Sequence, residues 1–252
     1  MAWLARGVVP VFAVVAAGIL VACVREPQAW PGATPETWPA LRAELAARRS
    51  HLPRSTWTAA VATELREPRT GQTIRGRGGL AVSPGRGARL ILSGVAGFTM
   101  LDAWVTPARW RIAVPPMNIV RRGGADEPPD LPVAFLRGWF FRPLAGTLVA
   151  AARFPDGSTW LLRDGGAVVR VDARTCERGP RLLVTRREEQ REESIDECRA
   201  GQEPSTGDRV RYEDRATGLA VDIRLEAVGV DPPPPQAFDD PDLPQPDDGV
   251  GP

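Results

Sequence analysis

The sequence predicts a mainly β, α+β fold: an incomplete antiparallel β-barrel or strongly curved sheet of about eleven strands, with an N-terminal helix and a mid-chain lid helix. Three observations carry this. Apolar and polar residues alternate with a period of two over most of the chain from Thr56 to Ala227. Gly, Pro and Asp clusters interrupt the alternation at hairpin spacing, as at Pro84–Gly85, Pro155–Asp156–Gly157 and Asp164–Gly165–Gly166. One segment, Asp130 to Gly146, is too densely apolar to be a solvated loop.

The first expected element is a helix from about Pro35 to Arg49, with Thr34 or Thr37 as cap and a proline early in the first turn. Trp38, Leu41 and Leu45 give it one apolar stripe. Strands follow from Trp57 to Leu65, Ile74 to Val82, Leu90 to Leu92, Phe98 to Val105 and Arg109 to Val114. After the dense segment they resume at Leu148 to Phe154, Trp160 to Arg163, Val168 to Val171, Leu182 to Arg186, Val210 to Tyr212 and Leu219 to Ala227. Gly76, Gly78 and Gly79 lie inside a strand with no helix after them, so they read as sites of sheet curvature rather than a phosphate loop.

The segment between the two groups of strands holds Leu131, Val133, Phe135, Leu136, Trp139, Phe140 and Phe141 and reads as a short apolar helix. Inserted midway through a meander, such a helix can lie across the open end of a curved sheet and cover apolar residues there. Whether it is a movable lid or a permanent plug is open at this level. From Asp231 the chain is rich in Pro and Asp without a basic residue, and residues 239–252 read as an acidic, disordered tail.

The amino terminus has the layout of a signal peptide: Arg6, then an uncharged apolar run from Val8 to Ala22. That run is interrupted by Pro10 and Gly18 and is shorter than the roughly 20 apolar residues a membrane-spanning helix needs. Leu20, Val21, Ala22 and Cys23 match the lipobox of bacterial lipoproteins, in which the cysteine receives diacylglycerol. The expected organisation is a signal peptide over 1–22, a spacer over 23–34, one folded domain over 35–238 and the tail.

With 43% apolar and 25% charged residues in 252, the chain can bury an ordinary core. Removing Arg6 with the signal peptide leaves 32 − 1 = 31 arginines against 31 acidic residues, a balance that gives no reason to expect a nucleic-acid partner. With Cys23 acylated, Cys176 and Cys198 remain as an even pair in an oxidising compartment. A disulfide between them would close a loop of about 22 residues, worth about 3 kcal/mol. Two separate buried thiols are the alternative.

The only histidine is His51, beside a helix end, so neither a Ser-His-Asp triad nor a multi-histidine metal site can be assembled. Glu188, Glu189, Glu192 and Glu193 alternate with arginines and read as a solvated charged segment rather than paired catalytic acids. The expectation is a non-enzyme without cofactor or metal.

Taken together, the lipobox, the N-terminal helix, the segment GRGGLAVSPGRGARLILSGVAGFTML, the segment LPVAFLRGWFFRPLAG and the final VDIRLEAVGVDPPPPQAF resemble the LolA/LolB-like lipoprotein-localisation superfamily, over roughly Trp38 to Phe238. The resemblance implies an incomplete barrel closed by helices, whose apolar interior receives acyl chains without covalent chemistry. The candidate wall residues are then Trp57, Leu80, Leu92, Trp104 and Trp110, under a lid carrying Leu136, Trp139 and Phe140. In the membrane-anchored receptors of this superfamily an apolar residue on the turn after the third strand helps to place cargo. Here Ala96 stands at that position, with Val95 and Phe98 beside it. Val24 follows the lipidated cysteine where an aspartate would favour inner-membrane retention, which implies an outer-membrane lipoprotein facing the periplasm. The implied partners are lipid or lipoprotein acyl chains, the membrane through Cys23, and a delivering periplasmic carrier, with the protein itself a monomer. A structural or interaction module of an envelope complex, built on the same fold, is the alternative function.

Overall fold

The computed structural model describes residues 34–50, 55–66, 70–94, 97–125, 133–141, 144–229 and 232–242. The expectations for the signal peptide, Cys23, His51, Val95, Ala96 and the chain beyond 242 lie outside these residues. The first element is helix α1, Trp38–Ser50. Thr37 begins it, accepting from the Leu41 amide, while the Thr34 carbonyl accepts from the amides of Thr37 and Trp38.

Thirteen strands then form one antiparallel sheet. In chain order they are β1 (Trp57–Arg66), β2 (Thr73–Ser83), β3 (Gly87–Ser93), β4 (Thr99–Val105), β5 (Arg109–Val114) and β6 (Ile119–Gly124). Helix α2, Val133–Phe140, follows. The second group is β7 (Thr147–Phe154), β8 (Gly157–Asp164), β9 (Ala167–Cys176), β10 (Gly179–Glu188), β11 (Arg191–Cys198), β12 (Arg209–Asp214) and β13 (Leu219–Gly229).

The strand order is β6-β5-β4-β3-β2-β1-β13-β12-β11-β10-β9-β8-β7. The chain therefore starts in the middle, walks out to one edge, crosses to the other edge through α2, and walks back until β13 pairs with β1. The sheet curves without closing, because β6 and β7 remain its edges. The long glycine-containing strand β2 helps: a Cβ at Gly78 would lie 1.8 Å from the Ile91 carbonyl oxygen, so β2 and β3 approach more closely than a side chain permits.

Two strands exceed the sequence expectation. β6, with Arg121, Arg122, Gly123 and Gly124, has no apolar alternation to reveal it, and it forms because a tight turn at Pro115–Met117, closed by Asn118 at φ 52°, folds it back on β5. β11 carries the sequence REESIDEC, expected as a solvated segment. It is instead paired on both sides, with β10 and β12, and every residue in it is at least half-buried. Its carboxylates are held by arginines on the same and neighbouring strands, which is why so charged a segment can enter a sheet.

One face of the sheet is apolar from edge to edge. A cross-strand row runs Leu65, Val221, Tyr212, Ile195, Val184, Val171, Trp160 and Ala151, and another runs Ala59, Leu80, Leu90, Ala103 and Ile112. Both helices cover this inner face. Leu41 and Leu45 of α1 pack over β7 to β10, and the Trp160 indole donates to the Leu41 carbonyl at 2.9 Å. Helix α2 packs over β1 to β5, β12 and β13.

The opposite face holds a second buried feature at β4 and β5. Trp104 points outward there, in register with Arg89 and Arg111, and is covered by the 3-10 turn Pro235–Phe238, whose Phe238 carbonyl accepts from the Trp104 indole at 3.0 Å. The acidic residues that follow dock on arginines: Asp239 on Arg86, Asp240 on Arg109, and Asp242 on both Arg111 and Arg122. The docked segment reaches Asp242. Phe238→Ala should uncover Trp104 and lower stability by about 3 kcal/mol, read as a lower urea midpoint with an unchanged slope.

Candidate functional site

The candidate site is the inner face beneath α2. Alternation decides its wall: on β1 the odd-numbered residues Trp57, Ala59, Val61 and Thr63 turn inward and are buried. Leu80 on β2 and Trp110 on β5 share this face. Leu92 on β3 lies on it as well, half-buried at its margin. Trp104, expected in the same wall, does not belong to it. Its neighbours Ala103 and Val105 face inward, and Trp104 is buried on the other face by the C-terminal strap instead.

Helix α2 lays an aromatic line over the wall. Phe135 sits on Tyr212 with ring centroids 5.4 Å apart and stacks on Trp139 at 5.3 Å. Trp139 stacks on Phe140 at 4.3 Å, and Phe140 meets the edge of Trp57 at 6.0 Å. Leu136 and Val133 are fully buried in the same cluster. The helix comes close to β11 because residue 138 is glycine, where an added Cβ would lie 3.1 Å from Ile195 Cδ1.

Polar bonds also hold α2. The Trp139 indole donates to Glu197 Oε1 at 2.8 Å, and Glu197 is in turn ion-paired with Arg199. Arg137 donates to the backbone carbonyls of Ala125 and Gly124 at the end of β6. With α2 seated, the space left between Trp57, Trp139, Val210 and Leu225 is about 10 Å³, room for about one water molecule and no acyl chain. A larger depression of about 360 Å³ lies on the outer face beside the disulfide, lined by Arg181, Asp196, Arg209, Arg211 and Asp222. Its charged lining does not suit a hydrocarbon chain.

Sequence reasoning did not single out Phe135, Tyr212, Thr63, Glu193 or Glu197 for the site. Tyr212 is the only tyrosine in the chain, and in REESIDEC the spacing of Glu193, Ile195 and Glu197 already puts them on one strand face. Burial pushes the Glu193 carboxyl up from its ordinary range, the nearby Asp214 pushes it further, and Arg191 at 2.6 Å opposes the shift. Burial also raises the Tyr212 phenol, whose hydroxyl lies beside Arg191 but outside hydrogen-bond geometry.

Phe98 is 50% exposed in the turn between β3 and β4, with its ring folded back against Gly94. Cys176 and Cys198 are joined in a disulfide that ties the end of β9 to the end of β11 across β10. Among the described residues, no group of three or more His, Cys, Asp or Glu could hold a metal ion. No helix among them is long and apolar enough to cross a membrane.

No family model matches the chain, and no curated protein matches it. Solved structures do. A domain proposed to belong to an outer membrane lipoprotein-sorting protein of Vibrio parahaemolyticus aligns with 78% of this chain and 95% of its own, at 11% identity and a TM-score of 0.48. A LolA superfamily protein from Nitrosomonas europaea aligns with 79% and 96%, at 12% identity and a TM-score of 0.42. A DUF1329 family protein from Desulfovibrio piger covers the same 79% share of this chain and 95% of its own, at 10% identity and a TM-score of 0.43.

The raised Glu193 carboxyl sets a pH dependence. A carboxyl whose folded pKa lies above its unfolded value favours folding below the unfolded pKa and loses that contribution as pH rises through the folded pKa. Glu193→Gln removes the titration, so wild type should lose stability relative to the variant as pH rises from the ordinary carboxylate range towards neutrality. Thermal melts of both proteins across that range check it, and parallel curves would refute it.

Proposed function

We propose that the protein is a membrane-anchored lipoprotein of the cell envelope that holds acyl chains of lipoproteins or other lipids on its inner sheet face. Helix α2 moves aside to admit them. One observation supports this reading above the others: the apolar face of β1 to β5, β12 and β13 is covered by a single eight-residue helix. Lipid replacing α2 exchanges one apolar cover for another, and about ten buried methylenes contribute roughly 8 kcal/mol towards that exchange.

A lipid on Cys23 keeps such a domain at one membrane, which suits a receptor or local holder in outer-membrane lipoprotein localisation rather than a shuttle. Val24 after the anchor supports an outer-membrane position facing the periplasm. Exposed Phe98, with Val95 and Ala96 just before it in sequence, is the segment assigned to membrane or cargo contact. Leu80, Leu92, Trp57 and Trp110 form the wall, and Leu136, Trp139 and Phe140 form the lid. The reading needs no cofactor and no reaction. A periplasmic carrier delivers the cargo to a monomer.

A second reading is favoured by the close packing of α2 on the inner face. With Val133, Phe135 and Leu136 fully buried there and a cleft of only about 10 Å³ beside Trp139, the helix can be permanent core of a non-catalytic interaction module in an envelope complex. Native mass spectrometry of the mature chain carrying Cys23→Ser, made in an exporting host, separates the two. The lipid-binding reading expects copurified lipid or uptake of a fluorescent fatty acid. It also expects amide hydrogen exchange over Val133–Phe140 to speed up at least about tenfold when lipid is added, since the helix must leave its seat. Absence of lipid with unchanged exchange would leave the interaction module standing. Trp139→Ala should weaken fatty-acid uptake, and a loss of about 3 to 5 kcal/mol of stability with uptake unchanged would identify Trp139 as plain core.

A further inference from the structure

Four residues on the inner face, none more than 5% exposed, bury a polar atom that has no hydrogen-bond partner among the described residues: Nε1 of Trp57, Nε1 of Trp110, Oγ1 of Thr63 and Oη of Tyr212. Buried polar groups are nearly always bonded, and leaving one unbonded is costly. The two indoles lie at the two ends of one cross-strand row, four strands apart. A single cross-strand row, Trp57, Val82, Ala88, Val105 and Trp110, places both at the same end of the interior. Thr63 lies six residues further along β1, towards the other end.

The indole end is also where the interior meets solvent. Trp57 and Trp139 line the small cleft there, with Arg199 and Arg209 at its mouth. Both arginines already have carboxylate partners, Glu197 and Asp222, so the mouth holds no unneutralised charge for an anionic head group. An indole N–H only donates, so the group that satisfies it in an apolar interior is a neutral acceptor.

Resting on the lipid-binding reading above, we propose that this interior selects acyl esters and amides over plain hydrocarbon or ether-linked chains, through hydrogen bonds from the Trp57 and Trp110 indoles to ligand carbonyl oxygens. The carbonyl end sits at the Trp57–Trp139 cleft. The methylenes run along the inner face towards Thr63, through the space α2 otherwise fills. A ligand with two acyl groups engages both indoles, and a ligand with one engages Trp57.

The test compares a monopalmitoyl glycerol ester with its hexadecyl glycerol ether, two lipids that differ at the carbonyl. Each displaces a fluorescent fatty acid from the mature chain carrying Cys23→Ser. The ester is expected to bind about tenfold tighter, the size of one hydrogen bond. In Trp57→Phe, which keeps a ring against Phe140 and removes the donor, the ratio of ester to ether affinity should fall to about twofold or less, whatever the change in overall affinity. Trp110→Phe is the second variant if the first does not fold, tested with a dipalmitoyl glycerol ester and its diether. Equal affinities for ester and ether in the wild type, or a preference untouched by both variants, would overturn the carbonyl selection and leave lipid binding intact. Failure of the wild type to take up the fluorescent fatty acid would overturn both.

Discussion

The structure depends on one topological constraint. The chain builds its sheet from the centre outward, ends at the β6 edge, and must reach the β7 edge before it can return to close β13 on β1. The connection has to cross from one edge of a curved sheet to the other, and α2 lies in it. An apolar inner face needs an apolar cover, and the helix VAFLRGWF supplies one with a single charge in eight residues. Packing, topology and the candidate site therefore meet in the same short helix.

The two faces of the sheet are stabilised in different ways. The inner face depends on burial, with Trp160, Tyr212, Phe135 and Leu90 among its fully buried side chains. The outer face is laced with arginine–carboxylate pairs, including the bidentate Arg89–Asp102 and Arg181–Asp196 pairs. Exposed pairs of this kind contribute little each. The Asp102 cluster is half-buried and lies beside the strap that covers Trp104, so there charge pairing and apolar burial reinforce each other. On the inner face the Glu197 carboxylate accepts from the Trp139 indole and helps to hold the cover.

Much of the architecture was legible before any coordinates. Period-two alternation located eleven of the thirteen strands, and the dense apolar segment located α2. β6 escaped because two arginines and two glycines give no alternation, and β11 because a run of glutamates and arginines looks solvated until its partners are known. Trp57, Leu80, Leu92 and Trp110 lie on one face of the sheet and Trp104 on the other. Alternation shows that a strand has two sides without saying that both are covered. The cover over Trp104 comes from Phe238, 134 residues later.

By itself the sequence determined local matters: where strands alternate, where turns break them, and which segment is apolar enough to be a cover. Those follow from spacing along the chain. Only the tertiary structure decided that α2 packs on the inner face, that Tyr212 and Glu197 meet it, and that the acidic residues after Phe238 dock on Arg86, Arg109, Arg111 and Arg122. Each of these is a contact between residues far apart in sequence. Such contacts are set by sheet register and curvature, which depend on all thirteen strands at once.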